Sequence, residues 1–209
     1  MAGVRQHDDR RTERRAAQRA ANRAQILDAA EVVFARAGLH NASMRAIADE
    51  AGYSSAAIYL FFENRQQLLA ETLARRTAEL IASLEATIAA SRDPLAALHA
   101  IIDDTLELYR QAANFWRMLN EVRTGLATVS ELADYDGLEA RFVQIQELLS
   151  GVIRKGQRNR TIRKGDPDVL TRLYMVLNNE YINMNLEGTH VSTVEFHAFI
   201  DAALRATPD

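Results

Sequence analysis

The 209-residue sequence has no cysteine, which excludes a disulfide framework, a thiolate metal site and a cysteine nucleophile. Three prolines and nine glycines leave few breaks in the chain, and abundant alanine favours helices nearly throughout. No strand-like alternation and no internal repeat is visible. Apolar runs stay far short of the roughly 18 residues that a membrane span requires, and no secretory signal pattern is seen. The expectation is a soluble, cytoplasmic chain with no membrane partner. Common catalytic signatures are missing too: no Gly-x-Ser-x-Gly elbow, no phosphate-cradling glycine loop, no His-Glu-x-x-His. Glu121 or Glu147 could act as an acid or base only if buried in a pocket. The chain reads as a non-enzyme without a cofactor.

What is present is ordinary for a folded domain: 48% hydrophobic and 25% charged residues, enough to bury a sizeable core. Net charge is −3, but it is unevenly spread. Residues 1–65 carry ten Arg against eight acidic residues, and the remainder carries fifteen Lys and Arg against twenty acidic residues. The first third of the chain is therefore the part suited to a polyanion.

That third contains the most informative stretch, residues 23–69. Met44, Ile47, Ala48 and Ala51 fall at i, i+3, i+4, i+7, one face of a helix, with Ser43 ahead as N-cap. Gly52 supplies the left-handed backbone that lets the chain leave this helix sharply. Ser54 caps the next helix, expected over about 54–61, with Ile58 and Phe62 inward and Ser55 and Tyr59 outward. Helix, tight glycine turn, helix is the plan of a DNA-reading helix-turn-helix, whose second helix enters the major groove.

The residues Ser43-Met44-Arg45-Ala46-Ile47-Ala48-Asp49-Glu50-Ala51-Gly52, Tyr59-Leu60-Phe61-Phe62 and Arg65-Gln66-Gln67-Leu68-Leu69 resemble the tetracycline-repressor (TetR) family of bacterial transcription regulators. The family pattern is Ser/Thr-x-Arg-x-Ile-Ala-x-x-Ala-Gly, then Tyr-x-x-Phe, then basic-x-x-Leu. The likeness covers about 47 contiguous residues. The sequence departs from it at Leu60-Phe61, where a basic or polar residue is usual before the last Phe, and at Ser55-Ala56-Ala57, where Lys or Arg is common. Beyond residue 70 the likeness is one of length and helical character only.

The resemblance implies an all-α protein: a flexible arginine-rich arm (1–22), a helix-turn-helix DNA-binding domain (23–69), and a helical bundle for ligand binding and dimerisation (70–209). It implies a ligand-responsive repressor, released from a palindromic operator in double-stranded DNA by a small, mostly apolar effector. Expected phosphate contacts are Ser43, Arg45, Tyr59 and Arg65, and expected base-edge contacts are Ser54, Ser55 and Ala56. The alternative is a helical ligand-binding or interaction protein without a defined operator. In the arm, Arg5, Arg10, Arg11, Arg14, Arg15 and Arg19 either form a solvated charge run or follow phosphates.

Downstream, helices are expected over about 64–91, 94–111, 114–124, 135–156, 167–186 and 191–206. Pro94 and Pro167 suit first helical turns, and Asn64 with Gln67 resembles a capping box. Candidate ligand-binding residues in this bundle are Tyr109, Phe115, Trp116, Leu119, Phe142, Leu177 and Tyr181, each of which could equally be plain core. Asn178, Asn179, Asn183 and Asn185 cluster in one helix and need partners wherever they are buried. His99, Asp103 and Glu107 could share one helix face, but no further ligand stands at familiar spacing, so no metal is expected. A homodimer is expected through the last two helices, with Leu170, Leu173, Leu177, Val194, Phe199 and Ile200 as candidate seam residues.

Overall fold

A computed structural model describes residues 2–114 and 137–206. Eight helices are described: α1 (Ala2–Ala37), α2 (Met44–Ala51), α3 (Ser55–Ile58), α4 (Arg65–Ala90), α5 (Pro94–Gln111), α6 (Leu138–Arg158), α7 (Pro167–Leu186) and α8 (Thr193–Leu204). The fold is all-α, and among the described residues the one extended pairing is an isolated bridge between Ile162 and Arg205. The helix expected at 114–124 lies outside the described residues.

The chain divides into two compact units, one running through Leu73 and the other beginning at Ala74. In the first, α1 buries Ile26, Ala30, Val33 and Phe34, and the following segments bury Leu39, Ile47, Ile58, Phe62 and Leu68. Burying a side chain of this size stabilises the fold by roughly 1.5–3 kcal/mol relative to exposure, which is what closes the short α2 and α3 on the long α1. The helix α1 continues through the arginine-rich segment, where residues 10–21 are all exposed.

The second unit is centred on α5, which buries Leu95, Leu98, Ile101, Ile102, Leu106 and Tyr109. Against these stand Leu149 and Ile153 of α6, Tyr174 and Ile182 of α7, and Phe196 and Ile200 of α8, all buried. Tyr174 satisfies its buried hydroxyl by donating to the Leu98 carbonyl at 2.7 Å; burial pushes its pKa well above the ordinary range.

Helix starts follow the side chains that cap them. Asp93 accepts from the amides of Leu95 and Ala96 ahead of Pro94, and Asp166 accepts from Asp168 and Val169 around Pro167. Ser192 and Glu195 make a reciprocal capping box at α8. At the other end of α8, the Arg163 amide donates to the Leu204 carbonyl at 2.8 Å, and the Ala206 amide donates to Thr161 at 3.1 Å. This pairing pins the last helix to the loop after α6. Asn64 accepts from the Gln67 amide at 2.8 Å, while the Gln67 side chain accepts from Glu63 rather than from Asn64 itself.

Candidate nucleic-acid interface

The α2 helix begins at Ser43, whose hydroxyl accepts from the Ala46 amide at 3.1 Å. It ends at Gly52, which has φ +74° and donates to the Ala48 and Asp49 carbonyls. Ser54 then caps α3 by accepting from the Ala57 amide at 3.2 Å. Both serine hydroxyls spend a lone pair on the cap and keep their proton for another acceptor.

The recognition helix is shorter than the expected 54–61. Regular α-helix covers Ser55–Ile58; then Leu60 donates to Ala57 at 3.1 Å and Phe61 to Ile58 at 3.0 Å. These i→i+3 bonds tighten the last turn and bring Phe62 into the core, where it is 1% exposed.

On the outer side, Ser43, Arg45, Ser54, Ser55, Ala56 and Tyr59 are all exposed, so six of the seven expected contact residues are on the surface of the α2–α3 region. Leu60, next to them, is 72% exposed. The seventh, Arg65, is half-buried and donates to the Leu39 carbonyl. It therefore ties the α1–α2 loop to the start of α4.

Three side chains of α1 hold this arrangement, and the sequence reading gave none of them that role. Arg23 donates to the Phe61 carbonyl at 2.6 Å, pairs with Glu71 of α4, and places its guanidinium 4.2 Å from the Phe62 ring centroid. Arg19 donates to the Leu60 carbonyl at 3.3 Å and stands 5.8 Å from the Phe61 ring centroid. Gln25 donates to the Ala51 carbonyl at 3.1 Å. The carbonyls left open at the ends of α2 and α3 are thus satisfied by α1. The available signal was the i+4 spacing of Arg19 and Arg23 ahead of Ile26.

Residues 26–72 match the family described as bacterial regulatory proteins, tetR family. Those residues are a TetR-family DNA-binding segment. Its α2–α3 unit is the DNA-binding helix-turn-helix of a transcription regulator. The chain is 36% identical over 81 residues to the nicotine-responsive transcriptional repressor HdnoR of Paenarthrobacter nicotinovorans, a match covering 39% of this chain and 42% of that protein. The match thus spans less than half the length of that repressor. Two solved TetR-like structures share its fold over most of both chains. FadR from Bacillus subtilis in complex with stearoyl-CoA gives a TM-score of 0.71 at 19% identity, covering 85% of this chain and 95% of FadR. AibR in complex with isovaleryl coenzyme A and operator DNA gives 0.71 at 16%, covering 88% and 98%.

In the second unit the expected ligand set is only partly described. Phe115, Trp116 and Leu119, like Glu121, lie outside the described residues. Tyr109 is buried in α5 and Phe142 is half-buried in α6. Tyr181 is buried and stacks on Phe196 with ring centroids 4.1 Å apart, its hydroxyl 3.1 Å from Thr193 Oγ1. Leu177 instead faces a groove of 470 Å³ between α7 and α8, shared with Leu173, Val176, Ile200 and Ala203. That groove does not take in Tyr109, Phe142 or Tyr181.

The histidines adopt an arrangement that spacing along one helix did not suggest. His99 and His197 stack with centroids 4.3 Å apart and planes 8° from parallel. His99 Nε2 lies 2.9 Å from Asp201 Oδ1, and His197 Nε2 lies 3.1 Å from Asp103 Oδ1. These are ion-pair distances whose alignment falls short of a hydrogen bond. Thus His99 and Asp103 each pair across to α8 rather than with one another. Among the described residues no cluster suits a metal ion.

Proposed function

We propose that this TetR-family regulator represses transcription as a homodimer on a near-palindromic operator and is released by a small, mostly apolar effector. The observation that carries the reading is the exposed α2–α3 surface, built on two helix-capping serines and a left-handed glycine. Ser43, Arg45, Tyr59 and Arg65 serve phosphates; Ser54, Ser55 and Ala56 serve base edges, Ala56 through a thymine methyl. Two-fold symmetry sets the two α3 helices roughly 34 Å apart, about one turn of DNA.

Dimerisation is supported by an apolar face that the monomer leaves open: Val169, Leu173 and Val176 on α7, with Val194 and Phe199 on α8. Leu170 and Ile200 are buried within the chain, so of the expected seam they belong to its own core. Residues 23–69 form the reading head and 70–209 the body. The continuous helix α4 (Arg65–Ala90) is the covalent route by which an effector in the body alters the head. Such an effector must bind the released state more tightly, and that difference limits its effect.

The effector reading draws on the acyl thioesters named with FadR and AibR and on Asn178. Asn178 is buried, and its Oδ1 has no hydrogen-bond partner among the described residues. A buried acceptor left open is costly, and a donor on a bound molecule would satisfy it. The test titrates acyl-CoA esters of graded chain length, following fluorescence of the single tryptophan, then repeats the titration on protein bound to a labelled operator duplex. Binding with loss of operator affinity is expected. Binding that leaves operator affinity unchanged makes the body a dimerisation scaffold only.

A further inference from the structure

The segment before the reading head carries a charge pattern that the helix-turn-helix does not use. Residues 10–21 of α1 are exposed without exception, and they precede residue 26, where the family match begins. Arg11, Arg15, Arg19 and Arg23 recur every fourth residue, which places them along one face of a helix. Glu13 lies two residues from Arg11 and Arg15, and positions two apart do not share a face.

The inner end of this stripe is fixed. Arg23 pairs with Glu71 and holds the Phe61 carbonyl, and Arg19 reaches the Leu60 carbonyl. The face that bears the stripe is therefore the face turned to the C-terminal end of α3. One and two turns further out, Arg15 and Arg11 are exposed and make no ion pair among the described residues. At 1.5 Å per residue they stand roughly 6 and 12 Å beyond Arg19 along the axis. Two guanidinium groups thus continue the stripe outward from the recognition helix, turning by about 40° at each step, with no ion pair among the described residues.

We infer that the outer turns of α1 are a second DNA-binding element, in which Arg11 and Arg15 contact backbone phosphates flanking the base pairs that α3 reads. This rests on the regulator reading above. Guanidinium groups suit this role because their fork pairs with phosphate oxygens, and such contacts carry no sequence information. Arg11 and Arg15 are exposed, so the contribution assigned to them is to affinity and to salt dependence.

The test uses the full chain. Wild-type protein first selects its preferred sequence from a random duplex pool. Affinity for that duplex and for a scrambled one is then measured across a salt series for wild type, R11A/R15A, R11K/R15K and the charge-matched body control R92A/R110A. Circular dichroism and sedimentation verify that each variant is folded and dimeric. Each phosphate contact contributes about 0.9 to the slope of log affinity against log salt, so four contacts per dimer predict a fall of about 3 to 4 for R11A/R15A. The selected sequence should not change, both duplexes should be weakened alike, and R11K/R15K should retain most of the slope. A slope equal to wild type overturns the inference. So does an altered flanking sequence at unchanged slope, which would mean that the extension reads bases. If the wild-type chain selects no sequence, the regulator reading itself fails, and this is seen before any variant is compared.

Discussion

The guanidinium of Arg23 donates to the main-chain carbonyl of Phe61 at 2.6 Å while lying 4.2 Å from the ring of Phe62. One side chain thus satisfies the end of the recognition helix and covers the aromatic residue that anchors it. Arg23→Ala should lower stability by about 2 kcal/mol, the scale of one charge-assisted hydrogen bond with a cation–π contact. It should also weaken operator binding beyond that loss, because α3 is no longer held. Arg23→Lys keeps the charge without the fork and should recover only part of both. Denaturation with parallel operator titration checks this; equal behaviour of the Lys variant and wild type would remove the geometric argument.

Gly52 tests the turn alone. A Cβ added there meets nothing within 4 Å, yet the residue has φ +74°. The whole penalty for Gly52→Ala is therefore backbone strain, about 1–2 kcal/mol. Gly52→Asn should cost less, since asparagine tolerates this conformation. Thermal unfolding of the two variants orders them, and a larger loss in Gly52→Asn would contradict the assignment.

The α5–α8 contact should respond to acid. Burial, and next the facing His197, hold the His99 pKa below its ordinary 6.5; Asp201 opposes both, and Arg205 adds to the depression. Asp103 faces the neighbouring His197 ring. As pH falls below 6.5 the unfolded chain binds a proton at this position before the folded one does. Stability is therefore full above 6.5 and declines as pH drops through the folded value. His99→Gln should flatten that part of the profile. An unchanged profile would mean that other groups carry the acid sensitivity.

Leu173 and Phe199 are each 55% exposed on the open face of α7 and α8. Leu173→Asp or Phe199→Asp should leave the monomer fold intact and abolish the dimer, reducing operator affinity at least tenfold, since a single head loses the second half-site. Sedimentation across a concentration series reads the first effect and operator titration the second. A variant that stays dimeric places the interface elsewhere.

Much of this was legible in the sequence because it depends on local chemistry. Ser43, Gly52 and Ser54 act where their residue types require, and Asp93-Pro94 and Asp166-Pro167 open α5 and α7 at the expected residues, with ends at Gln111 and Leu186. What escaped depends on distant contacts. Arg23 meets Phe61 across 38 residues, and His99 meets His197 across two helices; spacing along α1 puts Arg19 and Arg23 near one face but does not name their partners. The shortness of α3 follows from Phe62 turning into the core, a tertiary demand that overrides helix propensity. Leu177 lines the groove side of α7, which apolar spacing alone does not separate from the inner face.

The central claim is that the exposed α2–α3 surface reads DNA as one half of a symmetric dimer. Selection from a random duplex pool at moderate salt tests it most directly. The account predicts an enriched near-palindrome whose half-site centres are about one helical turn apart, lost when Ser55 and Ala56 are altered together. A pool with no enriched sequence, bound only through salt-sensitive non-specific contacts, would contradict it.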